Sequence, residues 1–168
     1  MSHEQPSSED AQPQAPKAKR GLQLSLKGRA LRLLSLREHS RLELERKLKP
    51  YEQTPGELAE ALDFLQAKDF INEQRVVESV VHTRSRKLGA SRVRQELQAK
   101  GLPAEAIQEA VQEMRSTELA RAREVWQKKF GEPPADAHAR VKQIRFLISR
   151  GFAAEVVRRV VAGADDLV

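Results

Sequence analysis

The 168-residue chain has no cysteine, which excludes disulfide scaffolds, thiolate zinc sites and cysteine nucleophiles. Nothing in it asks for an oxidising compartment, so a reducing cytoplasm is the expected setting. Aromatics are scarce: one Trp, one Tyr and five Phe. A core must then be built from Leu, Val and Ala and will be thin, which suits helices. The eight glycines form no G-x-x-x-x-G-K-[ST] loop, no G-x-G-x-x-G turn and no G-x-S-x-G elbow. His3, His39, His82 and His138 are too scattered for a ligand pair, so no metal or other cofactor is expected. No stretch approaches the roughly 20 apolar residues of a membrane span, and the start of the chain lacks a signal peptide's apolar region. A soluble, unprocessed, non-enzymatic protein is expected. Glu43, Glu45, Glu73 and Glu78 stand beside basic residues on polar helix faces and read as solvated surface, so no catalytic residue is assigned.

What the chain does have is helical periodicity. Residues 1–20, with three Pro, three Ser and three Gln and no apolar run, cannot offset the entropy of ordering and read as a disordered tail. From Leu22 onward Leu26, Ala30, Leu31 and Leu34 share a face, as do Leu44 and Leu48, and then Leu58, Leu62 and Leu65. Thr54, Pro55 and Glu57 form a capping-box pattern that predicts a helix start there. Trp126, Tyr51 and most of the phenylalanines fall on apolar faces and are assigned to the core. The interleaved aromatics of a single-strand stacking platform are therefore missing from the sequence reading.

The chain also matches itself. At an offset of 49, Ser40 meets Gly89, Leu44 meets Val93, Leu48 meets Leu97, Leu58 meets Ile107 and Leu62 meets Val111. At an offset of 50, Leu97 meets Leu147, Lys100 meets Arg150, Gly101 meets Gly151, Leu102 meets Phe152 and Ile107 meets Val157. Gly101 and Gly151 each follow a cation and precede a bulky apolar residue, as where a helix ends in a left-handed residue. Each unit has room for three helices of about 10–14 residues. The expected fold is all-α, three tandem three-helix repeats over residues 21–71, 72–115 and 116–168, stacked into an elongated, curved right-handed-type helical module.

The net charge of +6 is spread as 0 over residues 1–20, then +1, +2 and +3 over the three units. Within residues 84–100 six cations, Arg84, Arg86, Lys87, Arg92, Arg94 and Lys100, face only Glu96. Cations at a helix C-terminus answer the macrodipole, which accounts in part for the first three, and Arg84, Arg86, Lys87, Arg92 and Arg94 are the leading candidates for a binding surface. Arg92 and Arg94 lie near an N-terminus, where that account fails. Arg140, Lys142, Arg145 and Arg150 occupy the matching part of the third unit, so the middle helices carry a recurring basic surface suited to phosphates or a partner's carboxylates. A helix-turn-helix around Gly89, with Arg92, Arg94 and Gln95 on base edges, is the weaker reading, because such readers pair as dimers rather than in tandem.

Residues 37–48 (REHSRLELERKL), 70–77 (FINEQRVV), 84–103 (RSRKLGASRVRQELQAKGLP) and 129–152 (KFGEPPADAHARVKQIRFLISRGF) resemble, in order and spacing, the RecX regulators of RecA recombinase filaments. The resemblance runs from about Leu26 to Val161. Lys87-Leu88-Gly89 departs from it, being about one residue shorter than the family's usual glycine–aromatic–glycine turn. It implies a monomeric, cytoplasmic protein of three three-helix repeats that binds RecA–DNA filaments along their groove. Such a protein restrains RecA's ATPase, strand exchange and co-protease activities, and so limits recombination and the SOS response. Helices of about 12 residues span about 18 Å, so three stacked bundles would reach roughly 60–75 Å, a groove-like footprint. Two other readings stay open: a module that acts by covering single- or double-stranded DNA, and a helical-repeat adaptor for some other protein.

Overall fold

The computed structural model describes residues 23–163, and the expected disordered tail lies outside them. Nine α-helices and no strand occur among the described residues: α1 (Leu26–Leu36), α2 (Arg41–Leu48), α3 (Glu57–Ala67), α4 (Glu73–Arg84), α5 (Ala90–Ala99), α6 (Ala104–Ser116), α7 (Glu118–Lys129), α8 (Ala137–Ser149) and α9 (Ala154–Ala162). No described helix is long and apolar enough to cross a membrane.

Side-chain acceptors set several of the starts. Ser25, Asn72 and Asp136 accept from the backbone N–H three residues on, at 3.0, 3.0 and 2.7 Å. Ser40 and Glu43 form a complete capping box at α2. The expected start at Thr54 moves to Glu57. Gly56, at φ +87°, turns the chain in a left-handed conformation, and Glu52 takes over the capping, accepting from the N–H groups of Gly56 and Leu58 at 3.1 and 3.3 Å. Glu57 still reaches back to the Thr54 N–H at 3.4 Å, so half of the expected box forms. The ends of α5 and α8 are built alike. Gly101 (φ +71°) and Gly151 (φ +87°) are left-handed, while Leu102 and Phe152 donate back to the carbonyls of Leu97 and Leu147, both at 3.3 Å, and bury their side chains.

Three separate cores follow in chain order. The first joins Leu26 and Ala30 of α1, Leu44 and Leu48 of α2, and Leu58, Leu62 and Leu65 of α3. The second gathers Val76, Val77 and Val80 around Val93, Leu97, Ile107 and Val111. The third sets Ala122 and Val125 against Leu147, Phe152, Val157, Val160 and Val161. Leu31, placed by its spacing on the inner face of α1, stands exposed, because two helices cover only a narrow stripe of a third. The aromatic assignment also changes. Phe152 is buried and Trp126 half-buried, but Tyr51, Phe64 and Phe70 are exposed. Cation stacking compensates at two of them, with Lys27 over Phe64 and Arg29 over Tyr51, each 3.9 Å from the ring centroid.

Candidate functional site

Two joints between repeats decide which cations remain available. At the first, the start of α2 meets the corner between α5 and α6. Lys100 donates to Glu43 at 2.8 Å with both side chains 15% exposed, and Arg46 reaches the Ala99 carbonyl at 3.3 Å. Glu43 also takes Arg37 at 2.9 Å and the Ser40 N–H at 2.8 Å. Burial alone would raise its carboxyl, but these donors outweigh it and hold the group down at about 2. The solvated role expected of Glu43 is thus overturned: it is the anion on which the first joint closes.

The second joint repeats the geometry with different chemistry. The start of α5 meets the corner between α8 and α9, where the Gly89 N–H donates to the Arg150 carbonyl at 2.8 Å and the Ser91 N–H to that of Gly151 at 3.3 Å. The internal match pairs Glu43 with Arg92 and Lys100 with Arg150, so the acid–base pair of the first joint has two cations in its place. No salt bridge forms there. Arg92 lays its stem on Gly151, where an added Cβ would sit 2.4 Å from its Cγ, and the Arg150 guanidinium stacks on Phe146 at 3.7 Å.

The anion that does serve the second joint comes from further along the chain. Glu118, 3% exposed at the start of α7, accepts from the Ala90 N–H at 2.8 Å and caps α5 across the repeat boundary. One turn later Arg121 donates to the carbonyls of Ser85, Leu88 and Met114 at 2.9, 2.8 and 2.8 Å. Burial lowers the Arg121 guanidinium from its ordinary value. α7 therefore gives an anion to the start of α5 and a cation to the carbonyls at the ends of α4 and α6, as the helix dipole favours. The occupied start of α5 also removes the helix-turn-helix reading, whose recognition helix needs that end open to enter a groove.

The ten cations singled out by sequence divide accordingly. Lys100 is committed to Glu43, and Arg84 forks onto Glu96 at 3.0 Å. Arg92 and Arg150 pack at the second joint, yet Arg92 stays exposed and neither makes an ion pair among the described residues. Arg86, Lys87, Arg140, Lys142 and Arg145 are exposed and make no ion pair among the described residues. Arg94 is half-buried on the wall of a cleft of about 690 Å³ between α5 and α6. Arg115 and Gln98, Gln108 and Gln112 share that wall above Leu102 and Val111, and no acidic residue lines it. The sequence reading missed Arg115 and the glutamines, although their spacing from Gln108 to Arg115 puts them on one stripe of α6. Among the described residues no cluster of three or more His, Asp or Glu is arranged to hold a metal ion.

Comparison with known proteins follows the same three-part division. Models of the first, second and third three-helix domains of RecX match residues 27–65, 72–111 and 116–161. The regulatory protein RecX of Leptothrix cholodnii is 54% identical over 143 residues, 85% of this chain and 91% of that one. That of Ralstonia pickettii is 46% identical over 145 residues, covering 86% and 91%. The crystal structure of RecX from Lactobacillus salivarius superposes with a TM-score of 0.69 at 21% identity, over 83% of this chain and 94% of that one.

Proposed function

The chain belongs to the RecX family, and on that premise we propose that it regulates RecA by docking, without catalysis, on RecA–DNA filaments in the cytoplasm. The observation that supports this most is the distribution of cations: Lys100 and Arg84 are paired with Glu43 and Glu96, while Arg86, Lys87, Arg92, Arg94, Arg140, Lys142, Arg145 and Arg150 make no ion pair among the described residues. Arg94 and Arg115, with the cleft glutamines between them, offer forked and amide donors to carboxylates on RecA or phosphates of the bound strand. Arg86 and Lys87 past the end of α4 and Arg140, Lys142 and Arg145 of α8 add exposed, unpaired donors outside the cleft. As the protein carries no chemistry of its own in this reading, it alters RecA's ATPase, strand exchange and co-protease activity through differential affinity for assembled and dissociated filament.

The test is to titrate the full chain into RecA with single-stranded DNA and ATP and follow hydrolysis. Inhibition well below one protein per RecA subunit is expected. An Arg94→Glu/Arg115→Glu variant should need about tenfold more protein for the same inhibition, with its helicity intact. Unchanged inhibition by that variant takes the cleft out of the interface. Inhibition only at ratios that saturate the DNA would favour the DNA-covering reading, which the acid-free cleft also suits. No inhibition would leave the adaptor reading.

A further inference from the structure

A second cationic cavity lies on the first repeat, outside the surface just described. It measures about 280 Å³ and is walled by Arg29 and Arg32 of α1, Lys47 of α2 and Tyr51, over a floor of Leu33 and Leu48. No acidic residue lines it, and Arg29, Arg32 and Lys47 enter no ion pair among the described residues. Three like charges around one concavity repel each other, and the fold offers them no anion. Tyr51 ends the short 3-10 turn Lys49–Tyr51 and is 49% exposed, with the Arg29 guanidinium 3.9 Å from its ring centroid. A planar cation on an exposed ring presents two flat surfaces, the outer face of the guanidinium and the open part of the ring.

The geometry points to a site for one nucleotide unit of single-stranded nucleic acid. A base stacks on the Tyr51–Arg29 pair, and its flanking phosphates are held by Arg32 and Lys47. The cavity is just smaller than the roughly 300–1,000 Å³ of small-molecule sites, and so suits one unit of a polymer that continues past it better than a whole free cofactor. An acidic peptide would satisfy the cations but would not stack on the flat surface that the Tyr51–Arg29 pair leaves open, which favours the nucleic acid. This site involves no RecA contact and stands apart from the Arg94 cleft, so it neither needs nor supports the filament reading.

The experiment is fluorescence anisotropy of a labelled oligothymidylate of about 15 nucleotides with the full chain and no RecA. Tyr51→Ala should weaken binding roughly 5- to 100-fold, the range of one lost base stack, and Tyr51→Phe should retain wild-type affinity. An abasic strand of the same length should bind the wild type no better than oligothymidylate binds Tyr51→Ala. Arg32→Ala/Lys47→Ala should make the logarithmic salt dependence shallower by about 1.4, for two single-strand phosphates released. Equal affinity of wild type and Tyr51→Ala overturns the proposal, and so does equal affinity for abasic and base-bearing strands. Polyglutamate displacing the oligonucleotide as well as unlabelled oligothymidylate does would reassign the cavity to an acidic protein segment. The exposed position of Tyr51 keeps these variants folded, which circular dichroism checks.

Discussion

Replacing Gly89 by alanine isolates the second joint, because nothing else about that position resists a methyl group. Gly89 has an ordinary φ of −78°, so alanine adds no backbone strain. The added Cβ, however, would lie 2.3 Å from the carbonyl carbon and oxygen of Gly151 and 2.4 Å from the Phe152 nitrogen. Ordinary contact begins at 3.4 Å, and both obstacles are backbone, so the helix start and the corner must part by about an ångström. That separation breaks the 2.8 Å bond from the Gly89 N–H to Arg150 and draws the Ala90 N–H away from buried Glu118. A net hydrogen bond is worth about 1 kcal/mol and one to a buried charge about 1.5–3 kcal/mol, against about 0.4–1 kcal/mol gained from a stiffer unfolded chain. The expected loss is about 1.5–3.5 kcal/mol, localised between the second and third repeats. Trp126, the one tryptophan, reports from the third repeat, while far-UV ellipticity reports from all helices. In urea the two signals should coincide for the wild type and separate for Gly89→Ala, with the ellipticity midpoint lowered by about 1 M or more. Coincident curves within about 0.3 M of wild type would refute the joint as described. Gly28→Ala is the control: its new methyl meets side chains alone, the Ser25 hydroxyl at 3.3 Å and Leu24 at 3.5 Å, and improves helix propensity, so stability should not fall.

The other joint should answer to acid. Because the folded Glu43 carboxyl is held at about 2, below its ordinary 4.5, its contribution is fully present above pH 4.5 and is lost as pH falls toward 2. Arg37 is 47% exposed and solvent screens it, so the contribution should be only about 1–2 kcal/mol, and Glu43→Gln should flatten the urea midpoint across that window. Arg121→Met should lower stability by about 2–4 kcal/mol at neutral pH, since it leaves the Ser85 and Leu88 carbonyls without a partner, and thermal unfolding would show this as a drop of several degrees.

Helices and repeats were legible because they rest on local periodicity. Leu44/Leu48, Val93/Leu97 and Leu147 recur at fixed offsets and are buried in three successive cores. The glycines were legible for a related reason, as the left-handed ends at Gly101 and Gly151 need a residue without Cβ. The fate of individual charges was not, because it depends on partners distant in sequence. Glu43 finds Lys100 57 residues away and Ala90 finds Glu118 28 residues away. For the same reason the pairing of Arg84 with Glu96 and of Lys100 with Glu43, and the place of Arg115 beside Arg94, show only once the helices are packed. Tyr51 was misplaced because an aromatic at helical spacing is usually core, whereas here the chain has already turned into a 3-10 segment outside the bundle.

The position of Glu118 and Arg121 bears on how the chain is made. The middle repeat is finished by residues that leave the ribosome after it: its α5 lacks a cap until a carboxylate 28 residues downstream has emerged. A nascent chain paused before α7 holds a second bundle with an open helix start and the carbonyls of Ser85 and Leu88 bare. A stop codon after Ser116 leaves every helix of the first two repeats encoded, yet it withdraws the groups that complete the second.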